Sequence, residues 1–64
     1  MSTHSIENAC CIAETGSAIR VTAPEIGTEW IPKSQVDDDS EVYKDGDEGT
    51  LIVTQWIAEQ KGWV

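Results

Sequence analysis

The sequence predicts an α+β fold, a small antiparallel sheet of three to five short strands with one short C-terminal helix packed on it. Three observations predict this fold. Short runs of alternating or β-branched residues recur along the chain, and turn residues such as Gly, Pro and Asp separate them. Helix start and stop signals stand together near the C-terminus. A chain of 64 residues is long enough for one domain at most, so residues 1–64 are expected to form a single small domain.

The first part of the chain predicts a β-hairpin. Residues 1–7 are polar and aperiodic and are expected to be loosely ordered. Ala9–Ala13 is a short apolar run, and Ala18–Ala23 alternates apolar with polar residues, which is the period of a half-buried strand. A Gly-containing turn joins the two runs. They are therefore expected to pair as neighbouring strands.

The middle of the chain predicts further short strands. Thr28–Ile31 is expected to be a strand that ends at Pro32, because proline has no N–H to donate to a ladder. Lys33–Val36 is expected to be a short helical turn or a bend. Glu41–Tyr43 is a candidate short strand, and Thr50–Val53 is β-branched and apolar, as expected of a buried strand.

A two-turn helix is the clearest local prediction. Thr54 is a favourable N-cap residue, and Gln55–Lys61 are good helix formers. Gly62 stands where a left-handed residue commonly ends a helix, and Trp63 follows it in the position that packs back on the last turn. So short a helix does not persist alone, so packing on the sheet must hold it.

The three tryptophans are expected to supply the bulk of a thin core. Only 39% of the residues are hydrophobic, and no phenylalanine is present. Trp30, Trp56 and Trp63 are the largest apolar side chains in the chain. We expect the side of the helix that carries Trp56 and Ile57 to lie on the sheet.

The chain is strongly acidic. Twelve acidic residues stand against four basic ones, which gives a formal net charge of −8. This field repels nucleic acid and anionic lipid, so neither direct nucleic-acid binding nor membrane binding is expected. The chain shows no signal peptide and no apolar run long enough to span a membrane. The expected location is the cytoplasm.

Two adjacent cysteines are the only thiols in the chain. Cys10 and Cys11 cannot readily form a disulfide with each other, because neighbouring residues across a trans peptide do not supply the required geometry. In a strand they point to opposite faces, so one is expected to be buried. Reduced cysteines of a cytosolic protein are the expected state, and an intermolecular disulfide on oxidation is the alternative.

No catalytic constellation, cofactor motif or metal site is evident, so the chain is not expected to be an enzyme. His4, the one histidine, lies in the polar N-terminal segment, where we expect a solvated side chain. Cys10, Cys11 and His4 lack the paired spacing of a zinc site. A calcium loop starting at Asp37 would need glycine at its sixth position, where Val42 stands.

The candidate binding site is a twelve-residue acidic stretch. Its seven acids are Asp37, Asp38, Asp39, Glu41, Asp45, Asp47 and Glu48, with Lys44 as the single base among them. Runs of charge are often ordinary solvated loops, and this interpretation stays open. The alternative is an acidic face that imitates nucleic acid, because acids on neighbouring strands approach the charge density of a duplex.

Part of the sequence resembles a known protein family. The string Glu29–Val36 (EWIPKSQV), followed by Asp47–Ala58 (DEGTLIVTQWIA), is similar to a family of small bacteriophage and prophage proteins. In size and acidity the chain is also similar to the small acidic anti-CRISPR proteins directed against type I-C systems. The resemblance implies a DNA mimic that occupies the DNA-binding surface of the Cascade complex. It assigns no catalytic residues, and it makes Trp30, Pro32 and Trp56 core and turn positions.

The leading hypothesis is therefore a phage-encoded inhibitor that blocks target DNA binding by a type I-C Cascade complex in the host cytoplasm. The expected partner is a basic nucleic-acid-binding host protein, with the inhibitor a monomer or weak homodimer. One alternative is a DNA mimic aimed at another defence or repair enzyme. The other is a phage accessory protein that binds its partner through a tryptophan face, with the acids serving solubility.

Overall fold

The predicted first hairpin is present at the centre of the sheet. In the computed structural model, which describes residues 2–64, strand β1 spans Thr3–Glu14 and strand β2 spans Ala18–Ala23. The two strands are antiparallel neighbours. The turn between them is closed by Thr15, whose hydroxyl oxygen accepts the backbone N–H of Ala18 at 3.0 Å.

Two further strands and one helix complete an α+β fold. Strand β3 spans Gly27–Pro32, a 3₁₀ turn spans Lys33–Gln35, strand β4 spans Glu48–Thr54 and helix α1 spans Gln55–Gln60. The sheet is antiparallel with the order β3-β2-β1-β4. The predicted fold class is confirmed. No helix within residues 2–64 has the length and apolar character needed to cross a membrane.

Strand β1 begins earlier than the sequence predicts. The expectation of a loosely ordered segment over residues 1–7 is wrong for residues 3–7, which belong to β1 and of which residues 3–6 pair with β4. Met1 lies outside the described residues. Ile6 is fully buried opposite Leu51. Asn8 has a φ of 58° at an irregularity between Ile6 and Ala9, a left-handed conformation that asparagine tolerates.

The core is aliphatic and lies on one face of the sheet. Its central members are inward residues of all four strands, among them Ile19, Val21, Ile31 and Leu51, all fully buried. Each such side chain contributes about 1.5–3 kcal/mol of burial free energy. The complete cluster consists of Ile6, Ala9, Cys11, Ile19, Val21, Ala23, Ile31, Val36, Val42, Leu51, Val53, Ile57 and Ala58.

The tryptophans do not fill the core, contrary to the prediction. Trp30 is 44% exposed and Trp56 is 57% exposed, and only Trp63 packs against the core, where it is partly buried. Strand alternation explains Trp30, because its neighbour Ile31 occupies the inward position. Helix α1 turns Ile57 and Ala58 to the core, so the predicted Trp56 contact with the sheet is wrong.

Both ends of helix α1 have the predicted chemistry. The Thr54 hydroxyl oxygen accepts the backbone N–H of Ile57 at 3.3 Å. At the other end Gly62 has a φ of 76°, and the N–H of Trp63 donates to the carbonyl of Ala58 at 2.9 Å. This bond, together with the one from the N–H of Gly62 to the carbonyl of Glu59 at 3.2 Å, forms a Schellman ending.

Candidate functional site

The segment that carries the acids covers the outer edge of β4. The segment first meets β4 where Val36 forms an isolated bridge with Val53. The N–H of Asp37 then donates to the carbonyl of Ile52 at 2.8 Å, and the N–H of Glu41 to that of Thr50 at 3.0 Å. The segment therefore runs antiparallel to β4 and forms hydrogen bonds with backbone groups on its outer edge, without being a regular strand.

The candidate strand at Glu41–Tyr43 is not formed, which corrects the prediction. Irregular contacts hold this part of the chain. Val42 is fully buried, and its N–H donates to the Ser40 hydroxyl at 3.2 Å. The same hydroxyl oxygen accepts the N–H of Ile52 at 3.0 Å. A side chain thus replaces the backbone partner that a ladder would supply.

The end of the segment returns to strand β1. The carbonyl of Asp47 accepts the N–H of Cys11 at 2.9 Å, and the N–H of Gly46 donates to the carbonyl of Cys11 at 3.0 Å. Glu48 then opens β4 opposite Cys10. The acids consequently form two groups beside the two ends of β4. From Glu48 to Ile52 the strand advances about 13 Å, which sets the distance between the groups.

We call this surface the acidic edge, defined as the seven predicted residues Asp37, Asp38, Asp39, Glu41, Asp45, Asp47 and Glu48. The fold brings all seven to one side of the sheet, along β4 and the adjoining end of β1. Asp37 and Asp47 are half-buried, and the other five are exposed.

Three of the seven acids hold the segment in shape. The carboxylate of Asp37 accepts the N–H of Asp39 at 3.0 Å, and that of Glu41 accepts the N–H of Thr50 at 2.8 Å. Asp47 accepts the two N–H groups of Tyr43 and Lys44, each at 3.0 Å. These acids are positioned by the loop that they stabilise.

Four of the seven acids make no such internal bond through their side chains within residues 2–64. They are Asp38, Asp39, Asp45 and Glu48, and all are exposed. Their carboxylates are therefore available to a partner. The sequence could not separate these four acids from the other three, because the separation depends on which backbone N–H groups the loop brings near each carboxylate.

The pKa of Asp47 is held below its ordinary value. The bonds from the N–H groups of Tyr43 and Lys44 are the main cause, because they stabilise the charged carboxylate. Partial desolvation opposes them. Asp47 therefore stays ionised at neutral pH, and its negative charge contributes to the acidic edge as well as to the loop.

Glu14 joins the acidic edge, although the sequence analysis did not identify it. Its carboxylate accepts the N–H of Asp45 at 3.2 Å and lies 2.6 Å from the Lys33 ammonium group. The Lys33 bond is the first cause of the lowered pKa of Glu14, followed by the bond from Asp45. The sequence held no signal for this contact, because Glu14 and Asp45 are 31 positions apart.

Lysine side chains flank the edge without neutralising it. Lys33 is engaged by Glu14, and its ammonium group also lies 5.9 Å from the centre of the exposed Tyr43 ring, within cation–π range. Lys61 pairs with Glu29 at 3.1 Å, far from the acidic stretch in sequence and on the β3 side of the sheet. Lys44 is the only base inside the segment.

The opposite edge of the sheet has a different character. An open groove of about 450 Å³ lies beside β3 and is lined by Trp30, Pro32, Ile57 and Lys61, with Ser17, Ala18 and Ser34. None of these residues is acidic. The molecule therefore has an acidic edge at β4 and an apolar, aromatic edge at β3.

The cysteines follow the prediction that one of them points inward. Cys11 is buried in the core and Cys10 is half-buried, and both are free thiols. Burial raises the pKa of the Cys11 thiol, and the nearby acids Asp45, Glu14 and Asp47 raise it further. Such a thiol is a weak nucleophile at neutral pH.

His4 is not the solvated residue that the sequence predicted. It lies in β1 opposite Val53 and is half-buried, with its Nε2 atom 3.5 Å from a carboxylate oxygen of Glu25. Within residues 2–64 no group of three or more His, Cys, Asp or Glu side chains is placed to hold a metal ion.

Comparison with known proteins gives no assignment. No family model, no curated protein and no solved structure matches the chain.

Proposed function

We propose that the protein is an inhibitor that acts as a DNA mimic, presenting its acidic edge to the basic nucleic-acid-binding surface of another protein. The observation that carries the proposal is the collection of seven acids along one side of the sheet, with four exposed carboxylates that the fold itself does not use. A protein that binds phosphates through Lys and Arg would be attracted to this edge.

The charge density of the edge supports the proposal. A DNA duplex carries one negative charge per about 1.7 Å of axis, so a 13 Å length carries about eight. The acidic edge carries seven acids, with Glu14 beside them, in two groups that adjoin β4 at points about 13 Å apart. A surface that accommodates duplex phosphates therefore meets a similar number of charges here.

The loop architecture supports the proposal as well. Asp37, Glu41 and Asp47 fix the backbone through their own hydrogen bonds, so the exposed acids project from an ordered segment. A preorganised surface loses little conformational entropy on binding. The Asp47 carboxylate, whose pKa is held below its ordinary value, also adds to the attraction.

The target in this proposal is the Cascade complex of a type I-C CRISPR system, which makes the protein a phage anti-CRISPR inhibitor acting in the host cytoplasm. The resemblance of the sequence to small acidic phage proteins is the support for this choice of target. The inhibitor would bind a basic Cascade surface and exclude target DNA. It needs neither a cofactor nor a catalytic step, and it does not bind DNA itself.

The test measures binding of a labelled target duplex to purified type I-C Cascade in the presence of the inhibitor. Two edge variants each remove two charges, Asp38→Asn with Asp39→Asn, and Asp45→Asn with Glu48→Gln. We expect each pair to weaken inhibition on the order of tenfold, corresponding to a loss of about 1.4 kcal/mol. Raising the salt concentration should weaken wild-type inhibition in the same assay.

The matched control is the pair Glu25→Gln and Glu59→Gln. These exposed acids lie outside the acidic edge, and the variant carries the same net charge as each edge pair. We expect it to inhibit as strongly as wild type. Equal losses in all three variants would show that only total charge matters, and full inhibition by both edge variants would refute a role for the edge.

A different host enzyme that grips DNA is the alternative target for the same edge. If Cascade binds its duplex normally in the presence of the inhibitor, affinity capture from bacterial lysate should identify the alternative target enzyme. The captured protein should then be a DNA-binding restriction or repair enzyme that salt elutes and that the edge variants fail to capture. This result would support the DNA-mimic function and assign it a target other than Cascade.

A second candidate function is an accessory protein that binds its partner through tryptophan. The exposure of Trp30 and Trp56 favours it, because large aromatic side chains are enriched at interfaces. Trp30→Ala and Trp56→Ala would then abolish capture of the partner, while the edge variants would leave capture intact. The DNA-mimic proposal expects the opposite pattern.

A further inference from the structure

Strand β3 is the one strand of the sheet whose outer edge is left open within residues 2–64. The sheet order places β3 and β4 at the two margins, and the acidic segment covers β4. Among the described residues, no other strand or segment forms a backbone ladder with the outer side of β3. An open edge presents N–H and C=O groups that another strand can pair with.

The phase of the β2–β3 hairpin identifies these groups. The N–H of Lys33 donates to the carbonyl of Ser17, the residue opposite it when the β2–β3 register is continued, so the hydrogen-bonded positions of β3 are the odd-numbered ones. The N–H and C=O groups of Thr28 and Trp30 therefore point away from β2. Pro32 fits the same phase, since its missing N–H falls on the outer side.

The open edge is only partly protected against pairing, because β3 carries no lysine and its protective features are Pro32 at its end and the inward acid Glu29. Natural edge strands often carry outward lysines or inward charges. On the face of the sheet opposite the core, β3 presents the side chains of Thr28, Trp30 and Pro32, none of which is charged. Its single acid, Glu29, is held by Lys61 at 3.1 Å on the side of helix α1. The β3 edge is therefore locally close to neutral in a chain of net charge −8.

We propose that the β3 edge is a self-association site, at which a second copy of this chain adds its own β3 in antiparallel orientation to form an eight-stranded sheet. The charge distribution favours a second copy as the occupant. The two acidic edges would stand at the far margins, seven strand spacings or about 34 Å apart. That distance is about four Debye lengths at physiological ionic strength, so their repulsion is largely screened.

The charge of Glu29 determines the register in which the two β3 strands pair. A two-fold axis at Trp30 pairs Trp30 with Trp30 of the second copy, and the N–H of Thr28 with the carbonyl of Pro32 of the second copy. An axis at Glu29 would instead place two glutamates directly opposite each other, which is destabilising. The Trp30 register forms four backbone hydrogen bonds and one aromatic cross-strand pair.

The contact between the two β3 strands is small, so the affinity of the dimer is expected to be low. One six-residue strand buries less area than the roughly 800 Å² per partner of a standard interface. We therefore expect a weak dimer, monomeric below about 10 μM and mostly dimeric near 1 mM. The dimer would present two acidic edges at its opposite ends, which goes beyond the proposed inhibitor function and does not depend on it.

Sedimentation equilibrium of the purified protein tests the dimer. Wild type should shift with concentration from 7.0 kDa toward twice that mass. Thr28→Pro removes an outward N–H, and Trp30→Lys places like charges at the axis. We expect each to weaken dimerisation at least about tenfold. Trp56→Lys, the same change at another exposed tryptophan, should dimerise as wild type does.

Amide hydrogen exchange of the wild-type protein provides a readout that needs no variant. The amides of Thr28 and Trp30 should gain protection as concentration rises, while that of Trp56 should not. Added sodium chloride should leave the dimer unchanged or strengthen it, since it screens repulsion. A wild type that stays monomeric near 1 mM, a Trp30→Lys variant that still dimerises, or loss of the dimer in Trp56→Lys would overturn the proposal.

Discussion

At Asp47 one carboxylate oxygen accepts two backbone N–H groups and fixes the turn that leads into β4. The Glu41 carboxylate accepts one backbone N–H, that of Thr50, and its side chain packs against Gly49. Gly49 has a φ of 138°, and a Cβ atom there would stand 2.6 Å from the Glu41 carboxylate. At the residue scale, charge and loop geometry are thus determined by the same side chains.

Replacing Asp47 should reveal this structural role through pH. Asp47→Asn keeps an acceptor oxygen but loses the charge, so we expect lower stability than wild type at pH 7. The folded-state pKa of Asp47 lies below the ordinary value of about 3.9. The stability that the ionised Asp47 carboxylate contributes is therefore fully present above that value. It is lost as pH falls through the lower, folded-state pKa.

Urea denaturation across a series of pH values, followed by tryptophan fluorescence, measures the difference. The gap between wild type and Asp47→Asn should close as the solution is acidified below about pH 4. Asp45→Asn, whose side chain makes no internal bond, should show little gap at any pH. A gap for Asp47→Asn that is independent of pH would contradict a charge-dependent role.

The connections between elements depend on a few polar side chains. Thr54 ends β4, caps helix α1 through the N–H of Ile57, and donates its hydroxyl proton to the Gln35 side chain at 2.6 Å. One hydroxyl therefore links the 3₁₀ turn, the last strand and the helix. Since α1 has only six residues, its formation depends on this cap and on the burial of Ile57 and Ala58.

Removal of the Thr54 hydroxyl should destabilise the fold. We expect Thr54→Ala to lower the free energy of unfolding by about 1–2 kcal/mol, the range for loss of an N-cap with an additional hydrogen bond. Thr54→Ser retains the oxygen and should restore most of the loss. Chemical denaturation measures both variants, and an alanine variant as stable as the serine variant would show that the cap contributes nothing.

The sequence predicted those elements whose local pattern agrees with their burial. Ala18–Ala23 alternates and is a strand, and Thr54 and Gly62 mark the helix ends. The start of β1 was missed because Ile6 is the single buried residue among its first five positions. Edge coverage by residues 36–42 was missed because it combines two separate backbone bonds, one bridge and a side-chain bond, which leave no periodic pattern.

The candidate site was predicted in composition but not in arrangement. A count of acids along the chain was enough to identify Asp37 to Glu48. The addition of Glu14 and the separation of exposed from internally bonded acids depend on contacts between distant segments. The tryptophans show the reverse error. Their large size led to the prediction that they are buried. Trp30 is exposed because its strand neighbour Ile31 takes the inward position, and Trp56 is exposed because helix α1 turns Ile57 to the core.

The whole molecule separates charge from apolar surface. The acidic edge follows β4, the core lies on one face, and the β3 edge carries Trp30 and the groove beside it. Two surface lysine pairs, Lys33 with Glu14 and Lys61 with Glu29, are the ion pairs of the described residues that do not involve histidine. Such pairs contribute about 0–1 kcal/mol each, so repulsion among the acids outweighs them.

Salt should therefore stabilise the isolated protein. Two acids about 7 Å apart in water repel by about 0.6 kcal/mol, and the edge holds several such neighbours. We expect the free energy of unfolding to rise by about 1 kcal/mol between about 10 mM and 0.5 M sodium chloride, where screening becomes short-ranged. The variant Asp38→Asn with Asp39→Asn should show a smaller rise, because part of the repulsion is already gone. Urea denaturation at each salt concentration gives both values. A fall in stability with salt would mean that the two lysine pairs dominate, and it would remove the physical basis for treating the acidic edge as a concentrated charge.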